Sequence, residues 1–375
     1  MESRLRVATD GRAFTARAGG VRRYVHALFG AMAVRGDVEI FAVGASRDVD
    51  LPAGVRAVPV PSRLPTNVGW SLDGWPRALQ RLPVDLVHAP AYTAPLWGRR
   101  PIVLTVHDVS YARGPSVYPG RLDPLRRAFF RRSARRADRI ITDSAFSRRE
   151  IVDVYAIAET RIAVVPLGVD SVFAPGPEAQ EPATPFVLHV GDLHTRRDLP
   201  FALSAVLALR RDPRWPRLRL VLVGRDLGVL ADLRQQATRA GDPEALDYRE
   251  RVDESRLVRL YQDAAALVYP SRYEGFGLPV LEALACGTPV IAADAASIPE
   301  VLGAAGRLVA PGDATVWLPA LRAVLEDPDA RRLARTRGPA RAAAFTWARC
   351  AEQTVEVYRD TLASWKTSTP EKVSM

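Results

Sequence analysis

Between Ser271 and Val290 the sequence reads SRYEGFGLPVLEALACGTPV, with Glu274 on a glycine-rich turn and Glu282 eight positions on, inside the apolar run that follows. On one continuous helix two such residues would lie about 12 Å apart along the axis. An acid and nucleophile acting on one glycosidic bond need roughly 5 to 9.5 Å, so the two carboxylates must divide their labour. Gly275 and Gly277 make the approach irregular, and Pro279 suits a first helical turn, where its missing N–H costs nothing. The reading predicts a helix that starts near Leu278, with the free amides of Phe276, Gly277 and Leu278 offering a phosphate site. Glu282, about a turn in, would repel phosphate at close range and is better suited to accept from neutral hydroxyls such as a ribose diol. Glu274, ahead of the helix, would take hydroxyls of whatever the phosphate carries. Together they imply a nucleotide-activated sugar, although the isolated spacing fits equally well two glutamates that only stabilise a helix start. A dinucleotide fingerprint fails, because Val280 stands where the third glycine belongs and ATDGRAFTARAGG supplies no G-x-G-x-x-G.

The elements that must position these residues alternate. LRVATD, VEIFAV, VRAVPV, DLVHAP, IVLTVHD, RIITDS and RIAVVPLG read as strands, with helices near Val21–Met32, Leu122–Arg136 and Ser147–Tyr155. The last of these has a capping box, Ser147 with Glu150. FAPGPEAQEPATP, residues 173–185, is expected to be a linker. Beyond it FVLHVGD, RLRLVLVG, ALVYPS and PVIAAD read as strands, with helices near Leu199–Arg210, Leu227–Ala240, Ser255–Ala264 and Pro279–Cys286. The fold class is therefore α/β: two doubly wound, Rossmann-like domains over residues 1–172 and 186–345, with a ligand cleft expected between them. A closing helix over 346–365 and a frayed tail over 366–375 complete the reading.

Composition narrows the class. The chain of 375 residues is 48% hydrophobic and 25% charged, without an apolar run of spanning length. The start lacks a secretory pattern, which points to a cytoplasmic protein. Cys286 and Cys350 are too few for a disulfide framework or a metal site. The net charge of +10 is carried almost wholly by arginine, Lys366 and Lys372 being the only lysines. The densest cluster, Arg121–Arg139, reads as a surface helix with a solvated basic face and, as a second option, peripheral contact with an anionic membrane. No nucleic-acid motif or aromatic stacking run accompanies the charge, so nucleic acid is not an expected partner.

The E-x7-E pair and its surroundings, YEGFGLPVLEALACGTPVIAADAASIPEVLGAAGRLVAPGD, resemble the glycosyltransferase family 4 enzymes, which have the GT-B fold. VRRYVHALFGAM, TVHD, ITDSAFSRREIV, VVPLGVD and FTWARCAEQTVEVYR extend the likeness from Arg4 to about Leu362. The resemblance implies a retaining, metal-independent transferase with no cofactor, whose partners are a nucleotide-sugar donor and an acceptor hydroxyl of unknown identity; GDP-mannose is the favoured donor and a UDP-sugar the alternative. It assigns Glu282 to the donor ribose and Glu274 to the transferred sugar. Phe276, Gly277 and Leu278 would approach sugar and phosphate, and Arg251 and Val252 the base. Gly19 and Gly20 would admit phosphate and acceptor. His107 would contact the donor sugar near the reacting centre, with Asp108 shaping the loop. It also implies that the last helix crosses back to the N-terminal domain. DVD, residues 48–50, resembles a metal motif only in letters.

One segment departs from the family pattern. Its phosphate clamp is usually G-R-x-x-x-x-R-K, whereas here GDLHTRRDL puts Asp192 after Gly191 and arginines at 196 and 197. Arginine offers a planar fork where lysine is a compact charge, so the phosphate geometry should differ. Outside this context the arginine pair is a charged turn and His107 a strand-end histidine. A sugar-nucleotide epimerase, which would need no acceptor, and a basic binding protein without turnover are the competing classes.

Overall fold

The computed structural model describes residues 4–16, 19–61, 66–114, 117, 124–177 and 184–368. They fall into two units. The first contains the described residues up to Ala112, those from Pro124 to Gly168, and the chain from Trp347; the second contains Val169–Thr346 with Arg113, Gly114 and Val117.

The first unit is built on seven strands: β1 (Leu5–Asp10), β2 (Val38–Val43), β3 (Val55–Val58), β4 (Leu86–Ala89), β5 (Ile102–Thr105), β6 (Arg139–Thr142) and β7 (Ile162–Val164). All pair in parallel, in the order β3-β2-β1-β4-β5-β6-β7. β4 and β5 are buried at every position, which is why they read as unbroken apolar runs. The helix Gly19–Arg35 buries Tyr24, Val25, Leu28, Phe29 and Met32. The closing helix Trp347–Ser368 belongs to this unit: its Tyr358 hydroxyl lies 2.5 Å from His88 Nδ1 on β4 and donates to Met32 Sδ at 3.8 Å.

The second unit has six parallel strands: β8 (Phe186–Val190), β9 (Arg219–Val223), β10 (Leu246–Arg249), β11 (Ala266–Tyr269), β12 (Val290–Ala293) and β13 (Arg307–Val309), in the order β10-β9-β8-β11-β12-β13. Its core packs Val187, Leu220, Leu222 and Val268 from the sheet against Leu203 and Val206 of the helix Leu199–Leu209 and against Trp317. The strand order reverses between β8 and β11. In a doubly wound sheet that switch point, outside the carboxyl ends of the strands, is where ligands bind.

Several elements differ from the sequence reading. The helix expected from Ser147 begins at Ala145, because the Ser144 hydroxyl accepts from the Ser147 amide and caps it; Ser147 is already inside. The closing helix continues to Ser368, past the start expected for the frayed tail; residues 369–375 lie outside the described residues. The chain passes between units at Gly168–Val169, four residues before the expected end of the first domain. The Val169 amide donates to Phe345 and buried Phe173 packs edge-on against Tyr261 at 5.9 Å, so this stretch is held by the second unit. Residues 178–183 of the expected linker, and 121–123 of the arginine cluster, are outside the described residues. β10, β13 and the helices Trp317–Glu326 and Ala330–Ala342 were not anticipated. No helix among the described residues is long and apolar enough to cross a membrane.

Candidate active site

Two loops meet at the switch point of the second unit. The one after β8 carries Gly191, Asp192, His194, Arg196 and Arg197; the one after β11 carries Ser271, Arg272, Glu274, Phe276 and Gly277. They are tied together by the Arg272 amide, which donates to the Arg196 carbonyl at 2.8 Å, and by an Arg272–Asp198 ion pair at 2.9 Å. The sheet thus brings residues almost eighty positions apart into one constellation.

Arg197 is its centre. It is buried, donates through Nη1 to the Tyr269 hydroxyl at 2.6 Å, pairs through Nη2 with Glu274 Oε1 at 3.3 Å, and lies over the Tyr269 ring. Ser271 Oγ donates to the same Glu274 oxygen at 2.6 Å. Burial alone would raise the Glu274 carboxyl, but the charges of Arg197 and Arg196 and the Ser271 bond outweigh it and hold the group below the usual carboxylate range. Burial likewise opposes the charge on Arg197, and Glu274 and Tyr269 restore it, so the guanidinium stays charged. His194 is pushed down to about 4 by burial and by the two arginines, and as a neutral ring its Nδ1 accepts from the Arg196 amide at 3.2 Å. The Nε atoms of Arg196 and Arg197 are both buried without a partner among the described residues. Two unanswered guanidinium N–H groups on consecutive residues suit an anion.

The second glutamate is placed by the helix Leu278–Cys286, which starts where the sequence predicts. Gly277, at φ 105° and ψ 50°, occupies its N-cap, a conformation that disfavours other residues, and a Cβ there would come within 2.8 Å of Ile298 Cδ1. The Ser297 hydroxyl bridges the carbonyls of Glu274 and Phe276 at 2.9 Å each. With the Phe276 carbonyl so held, the amide of Gly277 in the same peptide faces the opposite way. The amides of Gly277 and Leu278 find no backbone acceptor among the described residues. Glu282 is buried and accepts from the Tyr261 hydroxyl at 2.7 Å. Burial, reinforced by Glu282, pushes the Cys286 thiol up to about 12, which leaves it inert.

Asp192, where the family pattern has arginine, is engaged by Arg225 from the loop after β9: Nη2 donates at 2.6 Å, and the side-chain Nε and the amide at 3.3 Å. The exchange of charge at 192 therefore recruits an arginine from the neighbouring strand. Arg251 and Val252 lie beyond β10, at the sheet edge, with Arg251 exposed.

In the first unit, His107 and Asp108 follow β5. His107 Nδ1 lies 2.8 Å from Oδ2 of Asp143, a residue buried at the end of β6. Asp108 accepts from the amide and hydroxyl of Ser110 at 3.0 and 2.8 Å and so shapes the loop. Gly19 and Gly20 open the helix Gly19–Arg35, exposed, and among the described residues no atom lies within 4 Å of a Cβ built at either. Among the described residues no group of His, Cys, Asp and Glu is arranged to hold a metal ion.

Comparison with known proteins decides the family. The model described as "Glycosyltransferase Family 4" matches residues 18–173, and that described as "Glycosyl transferases group 1" matches residues 175–341. O-antigen chain mannosyltransferase B of Escherichia coli is 32% identical over 285 residues, 73% of this chain and 74% of that one. The chain belongs to the group 1 glycosyltransferases. Among solved structures, sucrose-phosphate synthase from Thermosynechococcus elongatus superposes with a TM-score of 0.78 at 22% identity, covering 96% of this chain and all of that one. The Anabaena protein Alr3699/HepE, solved in complex with UDP-glucose, gives 0.73 at 18% identity over 95% and 99%. Both share the fold, which is GT-B.

In this glycosyltransferase, sequence reasoning named Glu274, Glu282, Arg196, Arg197, His107 and Asp192 but not the residues that contact them or their loops: Tyr269, Ser271, Tyr261, Ser297, Arg225 and Asp143. Tyr269 and Asp143 had a usable signal, since each stands at or just past the carboxyl end of a strand of a doubly wound sheet. Tyr261 and Ser297 had none.

Proposed function

We propose that this glycosyltransferase moves a hexose, mannose in the first instance, from a nucleotide diphosphate donor to the hydroxyl of a glycan, glycolipid or small-molecule acceptor, with retention at the anomeric carbon. The observation that carries the proposal is the buried, unpartnered Nε groups on Arg196 and Arg197 in a loop tied through Arg272 to the one that ends in the amides of Gly277 and Leu278, which have no backbone acceptor among the described residues. These donors suit a diphosphate whose charge grows as the anomeric C–O bond breaks. The preference for mannose is supported by the mannosyltransferase relative.

In this reading Arg196 and Arg197 stabilise the departing phosphate, aided by the helix N-terminus at Leu278. Glu274, kept ionised, accepts from hydroxyls of the transferred sugar, and Glu282, braced by Tyr261, from the ribose. Gly191 permits the close approach of Arg197. Arg251 and Val252 flank the base, His107 and Asp108 act on the sugar, and Gly19 and Gly20 leave room for phosphate and acceptor. The acceptor's proton passes to the leaving phosphate oxygen on the same face, which needs neither a covalent intermediate nor a metal ion.

The test is release of nucleotide diphosphate from GDP-mannose, UDP-glucose and UDP-galactose in the presence of hydroxyl acceptors, followed by NMR of the product. Turnover of GDP-mannose with an α-linked product supports the proposal. Turnover of only a UDP-sugar corrects the donor, and a β-linked product overturns retention.

A further inference from the structure

The helix Pro124–Arg136 carries six arginines and no carboxylate. Arg127, Arg131 and Arg135 follow one another at four-residue steps, so three like charges share one face, a spacing that costs a helix stability. Arg136 reaches Asp138 at 4.0 Å and the Gly98 carbonyl at 2.9 Å. The guanidiniums of Arg127, Arg131, Arg132 and Arg135 are exposed and have no ion-pair or hydrogen-bond partner among the described residues. All four line a cavity of about 650 Å³ in the first unit. Leu96, from the loop after β4, and Val154, from the helix Ala145–Tyr155, give it apolar surface, and no carboxylate lines it among the described residues. Tyr111 and Tyr155 stand in the same lining. They are 8% and 2% exposed, and both hydroxyls are buried without a partner among the described residues. Tyr111 is fixed edge-on against Phe130 of the arginine helix at 4.9 Å. Burial, reinforced by Asp108, raises the Tyr155 hydroxyl far above its ordinary value, so it stays protonated and can donate.

A solvated basic face accounts for exposed arginines. It does not account for two buried phenols left unanswered in the same cavity, since each costs its desolvation with nothing in return. Guanidiniums and phenolic hydroxyls can all donate, and a phosphate, with several acceptor oxygens and a charge to match clustered cations, answers them together. We propose that this cavity binds a phosphate group carried on an apolar molecule: Arg127, Arg131 and Arg135 take the charge, the Tyr111 and Tyr155 hydroxyls donate to phosphate oxygens, and Leu96 and Val154 cover the apolar part. The site is independent of the hexosyltransferase reading, because all of its residues lie in the first unit, on elements that carry none of Arg196, Arg197, Glu274 or Glu282.

The experiment titrates the purified full chain with inorganic pyrophosphate by calorimetry at low salt, and sediments it with vesicles of phosphatidylglycerol or of phosphatidylcholine. The wild-type protein should show a pyrophosphate-binding event that the double variant Arg131→Ala, Arg135→Ala abolishes. Tyr155→Phe, which leaves every charge in place, should weaken the same event about tenfold. The free Tyr155→Phe protein should melt no lower than the wild type, because the hydroxyl it loses has no partner there, and Tyr111→Phe supplies a second reading of the same kind. Capture by phosphatidylglycerol vesicles alone, reduced in Tyr155→Phe, identifies a lipid as the carrier of the phosphate; pyrophosphate binding without vesicle capture identifies a soluble phosphate ester. A titration that is the same in the wild type and in the double arginine variant, or binding untouched by both Tyr→Phe changes, overturns the proposal: the helix is then a solvated basic face, and any remaining binding belongs to diffuse charge or to the arginines of the second unit.

Discussion

The Arg197 guanidinium lies against Gly191 so closely that a Cβ on the glycine would come 2.7 Å from Nη1. Gly191 also has φ +127°, outside the range that side chains tolerate well. Position 191 is therefore glycine twice over, once for the backbone and once for the cation that covers it.

Gly191→Ala should cost about 1 to 3 kcal/mol of stability from backbone strain and displace the guanidinium from Tyr269 and Glu274. The expected outcome is a lower melting temperature together with a fall in kcat. A variant that melts lower with kcat unchanged would show that the position of Arg197 is not critical to catalysis.

Arg197→Ala removes the cation and leaves Glu274 and Tyr269 buried with fewer partners. For a donor acting on developing phosphate charge, kcat should fall by about 10² to 10³, with a smaller change in donor KM. Single-turnover kinetics on folded protein checks this. An unchanged kcat removes Arg197 from leaving-group stabilisation.

Tyr261→Phe removes the hydroxyl that donates to Glu282. A hydrogen bond to a charged group contributes about 1.5 to 3 kcal/mol, so stability should drop by about that amount. Affinity for the nucleotide diphosphate should weaken about tenfold as the carboxylate loses its brace, a change of about 1.4 kcal/mol. Calorimetric titration checks this, and an intact affinity in the destabilised variant would detach Glu282 from ribose recognition.

Acid should destabilise the fold through His88 and His189. Burial lowers both to about 3, with His107 adding to the effect on His88 and Arg197 on His189. The unfolded chain takes up their protons near pH 6.5 and the folded chain only near pH 3, so their contribution is complete above about 6.5 and is lost as pH falls between these values. Each should remove roughly 1 kcal/mol per pH unit in that window. His107, held above its ordinary value, has the opposite sign: its contribution is present below about 6.5 and is lost as pH rises through its folded value. Urea denaturation between neutral pH and about pH 5 measures the slope. His88→Gln should make it shallower, and an unaltered slope contradicts the assignment.

The interior strands were legible in the sequence because parallel strands covered on both faces are apolar throughout; β4, β5, β11 and β12 are buried at every position. β10 and β13 were not, because they are the edges of their sheet, and LDYR and RLV carry charges on partly exposed backbone. The helix Leu278–Cys286 was legible to within a residue, near Leu278 or Pro279, since Gly277 and Pro279 mark its start by backbone geometry that any sequence reading can use. Ser144 was missed because two serines three positions apart compete for one cap, and only the extended backbone at 144 decides between them. In the site, carboxylates and guanidiniums announce themselves by type, whereas Tyr269 and Asp143 meet Arg197 and His107 only through strand adjacency. β8 and β11 are neighbours in space although 75 residues separate the last residue of one from the first of the other. Asp192 looked like a loss of cation until Arg225 was seen paired with it.

The most direct measurement is the thermal stability of the purified protein against UDP, GDP, ADP, dTDP and their sugar conjugates, alongside Arg197→Ala and Glu282→Ala. A ligand at 100 times its Kd adds about 2.7 kcal/mol. A shift selective for one base, strongest with GDP and GDP-mannose and lost in Glu282→Ala, is the predicted result. No shift with any nucleotide in the wild-type protein would contradict a donor site built from Arg196, Arg197 and the helix at Leu278.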